Sequence, residues 1–262
     1  MDKTKIDWCD STWNPVTGCY HDCQYCYARK IAERFKPFDL SHLTDDGVFK
    51  GINDLEKPIT TECKDGKERI CAYPYGFEPT FHRYKLDDYT GRKGRNIFVC
   101  SMADLFGEWV PDSWIEEVFE ACEKAPQHNY LFLTKNPKRY ESVLDRYMPP
   151  NMWFGWSLTE PLAKDFSFKT HHSIHTFVSI EPLLKPLEGF CSEGLEWVII
   201  GAETGRQKDK VIPKREWIED ILNECRKADI PVFMKSSLVD IWGEPLMQEF
   251  PKELKSRKKN VK

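Results

Sequence analysis

The chain of 262 residues has no excess of basic charge. Its 38 Lys and Arg stand against 42 Asp and Glu, a formal net charge of −4 with His neutral. The field of a general nucleic-acid coat is therefore absent, and only a local basic patch remains open. Long apolar runs are missing too. Stretches such as Trp197 to Ala202 fall far short of the roughly 20 residues that span a bilayer. The opening MDKTKIDWCD has none of the apolar core of a secretion signal. No membrane partner is expected, and a cytoplasmic location is. Hydrophobic residues at 40% and charged residues at 31% are those of an ordinary globular protein, which excludes disordered and collagen-like chains. The length suits two small domains or one α/β barrel-like unit.

Cysteine is plentiful: Cys9, Cys19, Cys23, Cys26, Cys63, Cys71, Cys100, Cys122, Cys191 and Cys225. A reducing compartment disfavours disulfides, so clustered cysteines read first as metal ligands or reactive thiols.

Short β-branched and aromatic runs alternate with amphipathic stretches. Asn96 to Ser101, Tyr130 to Thr134, Trp153 to Leu158, His175 to Ile180, Trp197 to Ala202 and Pro231 to Lys235 read as buried parallel strands. PDSWIEEVFEACEKA opens on Pro111 and Asp112 and sets Trp114, Ile115, Val118, Phe119 and Cys122 at helical spacing. PKREWIEDILNECRKA repeats the pattern with Trp217, Ile218, Ile221, Leu222 and Cys225. A first strand over Trp13 to Thr17, then the cysteine loop and the helix YARKIAERF, begins the series.

The expected fold class is α/β: a partial, open TIM-like barrel of about six or seven βα units in one domain over 1–262, with functional loops at the carboxyl ends of its strands. Those ends offer Ser101, Met102 and Asp104; Lys135 and Asn136; Ser157, Thr159 and Glu160; Glu181; Gly201 and Glu203; Lys235 and Ser236. Between about 37 and 95 the rhythm fails. That stretch reads as an insertion after the first unit and a candidate lid, with a hairpin around GFEPTFHRYKLDDYTGRKGR. The basic end, 252–262, reads as a solvated tail.

Three cysteines share one loop, Gly18-Cys19-Tyr20-His21-Asp22-Cys23-Gln24-Tyr25-Cys26-Tyr27, at C-x3-C-x2-C spacing. Thiolates so near in sequence can converge on one metal centre. A structural zinc site takes four ligands, usually from two C-x2-C pairs. Cys23 and Cys26 form one pair and the chain has no second. None of His21, His82 and the His171, His172 and His175 group joins H-x3-5-H spacing to a linked knuckle, although His171 and His175 do stand at i, i+4. A redox C-x2-C has no need of Cys19. A [4Fe–4S] cluster favours thiolates, and three of them leave one iron open to another ligand. Cys100, Cys122, Cys191 and Cys225 fall in strand or helix patterns and read as packing residues. Cys9, Cys63 and Cys71 are too few and too widely spaced to make a good second cluster.

This loop, with an aromatic residue just before its last cysteine and a βα series after it, resembles the radical S-adenosylmethionine superfamily. The resemblance implies Cys19, Cys23 and Cys26 as ligands of a [4Fe–4S] cluster, S-adenosyl-L-methionine on its open iron, and Tyr25 against the adenine. It also implies one-electron cleavage of a C–S bond to a 5′-deoxyadenosyl radical, fed by a reductant such as flavodoxin or ferredoxin. The superfamily's Gly-Gly-Glu segment is not present, and Ser101 and Asp104 are expected to accept the methionine ammonium in its place. Ser157, Thr159 and Glu181 are expected at the ribose hydroxyls and methionine carboxylate, and Gly201 beside the adenine.

IDWCDSTWNPVTGC, YCYARKIAERF, CSMADLF, WFGWSL, SIEPLL, WVIIGAETG and PVFMKS resemble a narrower group across nearly the full length: small phage-type radical S-adenosylmethionine proteins that include queuosine-salvage lyases. That resemblance implies a lyase releasing the 7-deazaguanine base queuine from queuosine 5′-phosphate. For such a nucleotide, Lys135, Lys235 and Arg206 are candidates for the phosphate. Trp8, Trp13, Trp156 and Phe106 are candidates to stack on the base. Asn14, Asn136, Glu203, Asp104, Glu160 and Glu181 are candidates for its polar groups. No catalytic residue is assigned beyond the cluster and the radical.

A second reading puts radical chemistry on nucleic acid, similar to the spore photoproduct lyases, with GRKGR at 91–95 and the tail on phosphates. The net negative charge makes a polymer the less favoured partner. A third reading is a zinc-stabilised interaction module.

Overall fold

The β-branched and aromatic runs become strands, and the amphipathic stretches become helices. The computed structural model describes residues 4–36, 51–62, 66–144, 147–159, 174–204 and 210–254. Cys63, Glu160, His171, His172, Arg206, residues 37–50 of the insertion and the tail from 255 lie outside the described residues.

In chain order the elements are β1 (Ser11–Trp13), β2 (Val16–Thr17), α1 (Tyr27–Phe35), β3 (Asn53–Leu55), β4 (Thr60–Glu62), β5 (Glu68–Ile70), β6 (Thr80–His82), β7 (Asn96–Val99) and α2 (Asp112–Lys124). They continue as β8 (Asn129–Thr134), α3 (Tyr140–Val143), β9 (Met152–Ser157), β10 (His175–Ile180), β11 (Trp197–Ile200), α4 (Arg215–Lys227), β12 (Val232–Met234) and α5 (Val239–Trp242). One sheet has the order β1-β7-β8-β9-β10-β11-β12, and its seven parallel strands curl into an open half-barrel. The α/β partial barrel expected from the sequence is therefore present.

Three features differ from expectation. The first strand is two: Pro15 has no N–H to give a ladder, so the chain leaves the large sheet after Trp13, and β2 pairs antiparallel with β6. The hairpin lies earlier than expected, as β4 with β5, while β6 is the centre of a small β2-β6-β3 sheet. The alternation is also less regular than the sequence pattern. No helix joins β10 to β11, where Pro182, Pro186, Gly189 and Gly194, the glycines at φ 72° and 77°, interrupt any helical run.

The chain divides into two compact units, one of residues 1–12, 94–98 and 127–262, the other of 13–93 and 99–126. In the first, strand alternation sorts the core into two layers. Val178, Ile180, Val198, Ile200, Val232 and Met234 pack with Ile218, Ile221, Leu222 and Cys225 of α4. The other face carries Leu131, Trp153, Phe177, Trp197, Ile199 and Phe233, joined by Trp8, Phe98 and Leu254. Each such side chain contributes about 1.5–3 kcal/mol by its burial. Gly155 leaves room for this layer, since a Cβ there would sit 2.5 Å from the Phe177 ring. The segment after α5 is tied in place, which corrects the start of the expected solvated tail at 252–254: Leu254 is buried and its O accepts from Asn96 Nδ2 at 2.9 Å, while Glu249 O accepts from the Trp197 indole at 3.0 Å.

In the second unit, α2 buries Trp114, Ile115, Val118, Phe119 and Cys122, with Phe81 packed on Trp114 at 5.2 Å between ring centroids. Arg83 joins Asp54 of β3 to Glu117 of α2. Buried His82 bonds Thr17 through Nε2 at 2.9 Å, linking β6 to β2.

Candidate functional site

Gly18 opens the cysteine loop at φ +87°, and a Cβ there would stand 2.2 Å from Glu78 O, so only glycine fits. Its N–H donates to Met102 O at 2.9 Å. The turn from Cys23 to Cys26 closes through Cys26 N–H on Cys23 O at 3.0 Å. Cys26 then caps α1, its Sγ accepting from Arg29 N–H at 3.4 Å. Arg29 reaches back to Cys19 O and to Asp22, both at 3.4 Å, and lies over the Phe77 ring.

The three thiols are half-buried and free of disulfides. Burial pushes the Cys19 thiol up to about 12, opposed by a hydrogen bond from the His21 backbone N–H, with Asp104, Cys23 and Cys26 adding smaller contributions to the rise. A bound cation would reverse the sign of that effect. Among the described residues no three His, Cys, Asp or Glu side chains are already gathered round one point.

Around this loop the structure gathers several expected residues and one whose partner the sequence did not reveal. Asn14 Oδ1 accepts from Ser101 Oγ at 3.2 Å and from Met102 N–H at 3.0 Å. Tyr27 donates its hydroxyl to Ser101 O at 2.7 Å. Asp104 is buried, with Oδ1 accepting from Phe106 N–H at 3.0 Å and Oδ2 lying 2.7 Å from His21 Nε2. The carboxylate expected to receive an ammonium thus anchors the middle of the cysteine loop through His21. The His21 ring stands edge-on to Trp109 at 4.9 Å, a packing that Gly107 permits, because a Cβ on it would meet the indole at 2.4 Å. Position inside the loop was the one sequence signal for His21; its acid lies 83 residues away. Tyr25 is half-buried in the turn. Trp13 is a core residue, donating to Lys85 O at 2.9 Å and meeting Tyr89 edge-on.

The strand ends of the other unit carry a second polar set. Ser157 lies in register with Ser179. One step on, Glu181, Gly201 and Lys235 follow the paired residues Ile180, Ile200 and Met234. Lys235 Nζ forms an ion pair with Glu181 Oε1. A Cβ on Gly201 would lie 3.0 Å from Lys235 Cδ and 3.2 Å from Glu181 Cγ. The space that Gly201 leaves, expected for adenine, is thus bordered by this ion pair. Ser179, which sequence reasoning missed, has a buried hydroxyl with no hydrogen-bond partner among the described residues.

Glu203 accepts from Val211 N–H at 3.1 Å and so closes its own loop. Lys135, Asn136 and Thr159 are half-buried at their strand ends, with Asn136 N–H donating to Thr134 Oγ1 at 2.9 Å. Trp8, Trp156 and Phe106 are buried core residues. So are Cys100, Cys122 and Cys225. Cys191 is a correction: it is exposed, because the link from β10 to β11 forms neither the strand nor the helix that would bury it.

A parallel half-barrel sheet with polar strand ends, in a chain that also carries a three-thiol loop, defines an α/β protein of partial-barrel class. The chain belongs to the family described as protein of unknown function (DUF5131), which matches residues 3–260. No curated protein and no solved structure matches it. Among the described residues no helix is long and apolar enough to cross a membrane.

Proposed function

We propose that this protein is a radical S-adenosylmethionine enzyme, and specifically a lyase that releases queuine from queuosine 5′-phosphate. The observation that carries the reading is the loop from Gly18 to Cys26, which presents three half-buried thiols at C-x3-C-x2-C spacing, none of them in a disulfide. That donor set fits a [4Fe–4S] cluster held by Cys19, Cys23 and Cys26 with one iron left for the methionine donor. When bound, the cluster and S-adenosyl-L-methionine supply a 5′-deoxyadenosyl radical.

The chain's own residues bind, orient and shield. Asp104 and His21 brace the loop, and Arg29 holds its Cys19 carbonyl. Tyr25, Ser101, Asp104, Ser157, Thr159, Glu181 and Gly201 are the groups assigned to the methionine donor. Trp13 is buried with its indole N–H on Lys85 O and is withdrawn from the nucleotide role. Asn14, Lys135, Asn136, Glu203, Arg206 and Lys235 are assigned to the nucleotide. Their work is to fix one sugar C–H and to exclude other hydrogen donors. The reductant is a carrier of the flavodoxin or ferredoxin kind, and the location is cytoplasmic.

The test is anaerobic reconstitution followed by incubation with S-adenosyl-L-methionine, a reductant and queuosine 5′-phosphate. 5′-Deoxyadenosine and free queuine are expected to appear together. No base release from any deazaguanine nucleotide would defeat the lyase assignment alone. A Cys23→Ala variant that retains full iron and acid-labile sulfide would defeat the cluster assignment.

A further inference from the structure

Helix α1 hides its small residues and displays its large ones. Ala28 and Ala32 are buried, whereas Tyr27, Ile31 and Phe35 are 50%, 36% and 61% exposed. Spaced four apart, the three form one stripe along the helix. Lys30 and Arg34 occupy the adjoining row at 100° per residue, and both are exposed. Arg29 and Lys36 fall on the opposite side of the helix, Arg29 beside Asp22 and Lys36 paired with Glu33 at 2.5 Å, so the charge on this face is that of Lys30 and Arg34. This basic, apolar face belongs to a chain whose net charge is −4.

Its place in the chain is equally specific. The helix begins on Cys26, whose sulfur caps it, and the first exposed ring, Tyr27, is fastened to Ser101 O. A surface with an apolar centre and a cationic rim suits a transient partner of opposite charge.

We propose that this face of α1 docks an acidic one-electron carrier protein. The proposal rests on the cluster reading of the cysteine loop. In the step it serves, the reduced carrier loses one electron and the cluster gains one, with no bond made or broken and no proton moved. The contact is small and salt-sensitive, as electron-transfer encounters are. A nine-residue helix with basic and aromatic side chains also has the chemistry of a lipid-surface segment, so the test includes that outcome.

The test uses the reconstituted full-length protein and an acidic flavodoxin kept reduced by its reductase, and follows cluster reduction by stopped-flow absorbance. In the Lys30→Glu/Arg34→Glu variant the bimolecular rate is expected to fall about ten-fold or more at low salt, with the difference shrinking as salt rises. Lys30→Gln/Arg34→Gln is expected to fall between, and Ile31→Ser to slow the reaction at every salt concentration. Dithionite should reduce all four proteins equally. Equal flavodoxin rates for wild type and the charge-reversed variant, or the same loss with dithionite, would overturn the docking face. Binding to anionic vesicles that depends on Lys30 and Arg34 while the flavodoxin rate does not would overturn it as well. A protein that assembles no reducible cluster removes the cysteine-loop reading and this proposal with it, whereas a normal cluster with a flat charge response removes the docking face alone.

Discussion

Acid is expected to destabilise the cysteine-bearing unit through one side chain, His82. It is fully buried, with Thr17 Oγ1 2.9 Å from Nε2 and the Tyr84 hydroxyl 3.2 Å from Nδ1. Burial, and secondarily the charge of Lys85, lowers its pKa from 6.5 to about 3. Below pH 6.5 the unfolded chain takes up a proton at this site that the folded chain refuses, so the stabilisation is complete above 6.5 and disappears as pH falls toward 3. One pKa unit corresponds to about 1.4 kcal/mol. The loss is therefore about 2 kcal/mol at about pH 5 and about 5 kcal/mol once the folded form titrates. Urea unfolding followed by tryptophan fluorescence at about pH 7.5 and about pH 5 measures it, with His82→Gln as the reference that cannot titrate. The wild type should lose about 2 kcal/mol more than the variant over this interval. Equal losses would refute the reasoning. Thr17 immediately precedes Gly18 and Cys19, so the same acid step should also speed the loss of metal from the loop.

Other perturbations separate packing from chemistry. Gly155→Ala drives a methyl into the Phe177 ring, 2.5 Å away, and should cost about 1–3 kcal/mol, read as a lowered unfolding midpoint. Leu254→Ala removes a side chain that is 1% exposed and should cost about 2–5 kcal/mol; an unchanged midpoint would show that the last described turn is not part of the core. Asp104→Asn keeps the shape but weakens the hold on His21. Iron bound after reconstitution should fall while the thermal midpoint moves by no more than about 1 kcal/mol equivalent, and full iron retention would show that the His21 link does not brace the loop.

The strands β7 to β12 were legible because each is a β-branched or aromatic run between turn residues, and His175–Ile180 and the helix Tyr27–Phe35 match the sequence boundaries, whereas β3, β4 and β5 carry no such run. The helical spacing of Trp114 through Cys122 and of Ile218 through Cys225 was equally direct, since it depends only on a repeat along the chain. What escaped depends on partners distant in sequence. The split at Pro15 requires knowing that β6, 65 residues on, is waiting to pair Val16. The cysteine loop was visible as a motif, but its brace, Asp104 on His21, joins residues from separate segments. At Gly201, expected beside an adenine, a Cβ would be tight, 3.0 Å from Lys235 Cδ and 3.2 Å from Glu181 Cγ. That Glu181 and Lys235 border the gap follows from sheet register, which one sequence does not reveal.

That register also determines where polar chemistry appears in the sheet-bearing unit. Along the aromatic face, columns toward the carboxyl ends run Trp153, Gly155, Ser157; Phe177, Ser179, Glu181; Trp197, Ile199, Gly201; and Phe233, Lys235. Each column that ends in a polar residue passes from ring to hydroxyl or charge, so a ligand at this rim meets polar groups above a sealed apolar floor. Ser179 marks the boundary, and an unbonded buried hydroxyl there costs about 1–3 kcal/mol, which a water or a ligand would recover. The Glu181 and Lys235 pair is half-buried, and the desolvation of its two charges offsets much of their attraction. A bare anion approaching Lys235 must displace Glu181 and leave that carboxylate unpaired. A ligand that also offers a hydroxyl or ammonium to Glu181 exchanges one pair for two and leaves nothing unpaired. The rim should therefore bind a nucleoside monophosphate at least about ten-fold more tightly than inorganic phosphate, and Glu181→Gln should narrow that gap by improving phosphate binding. If phosphate and nucleotide bind this rim equally, the pair is a structural contact and the nucleotide is held elsewhere.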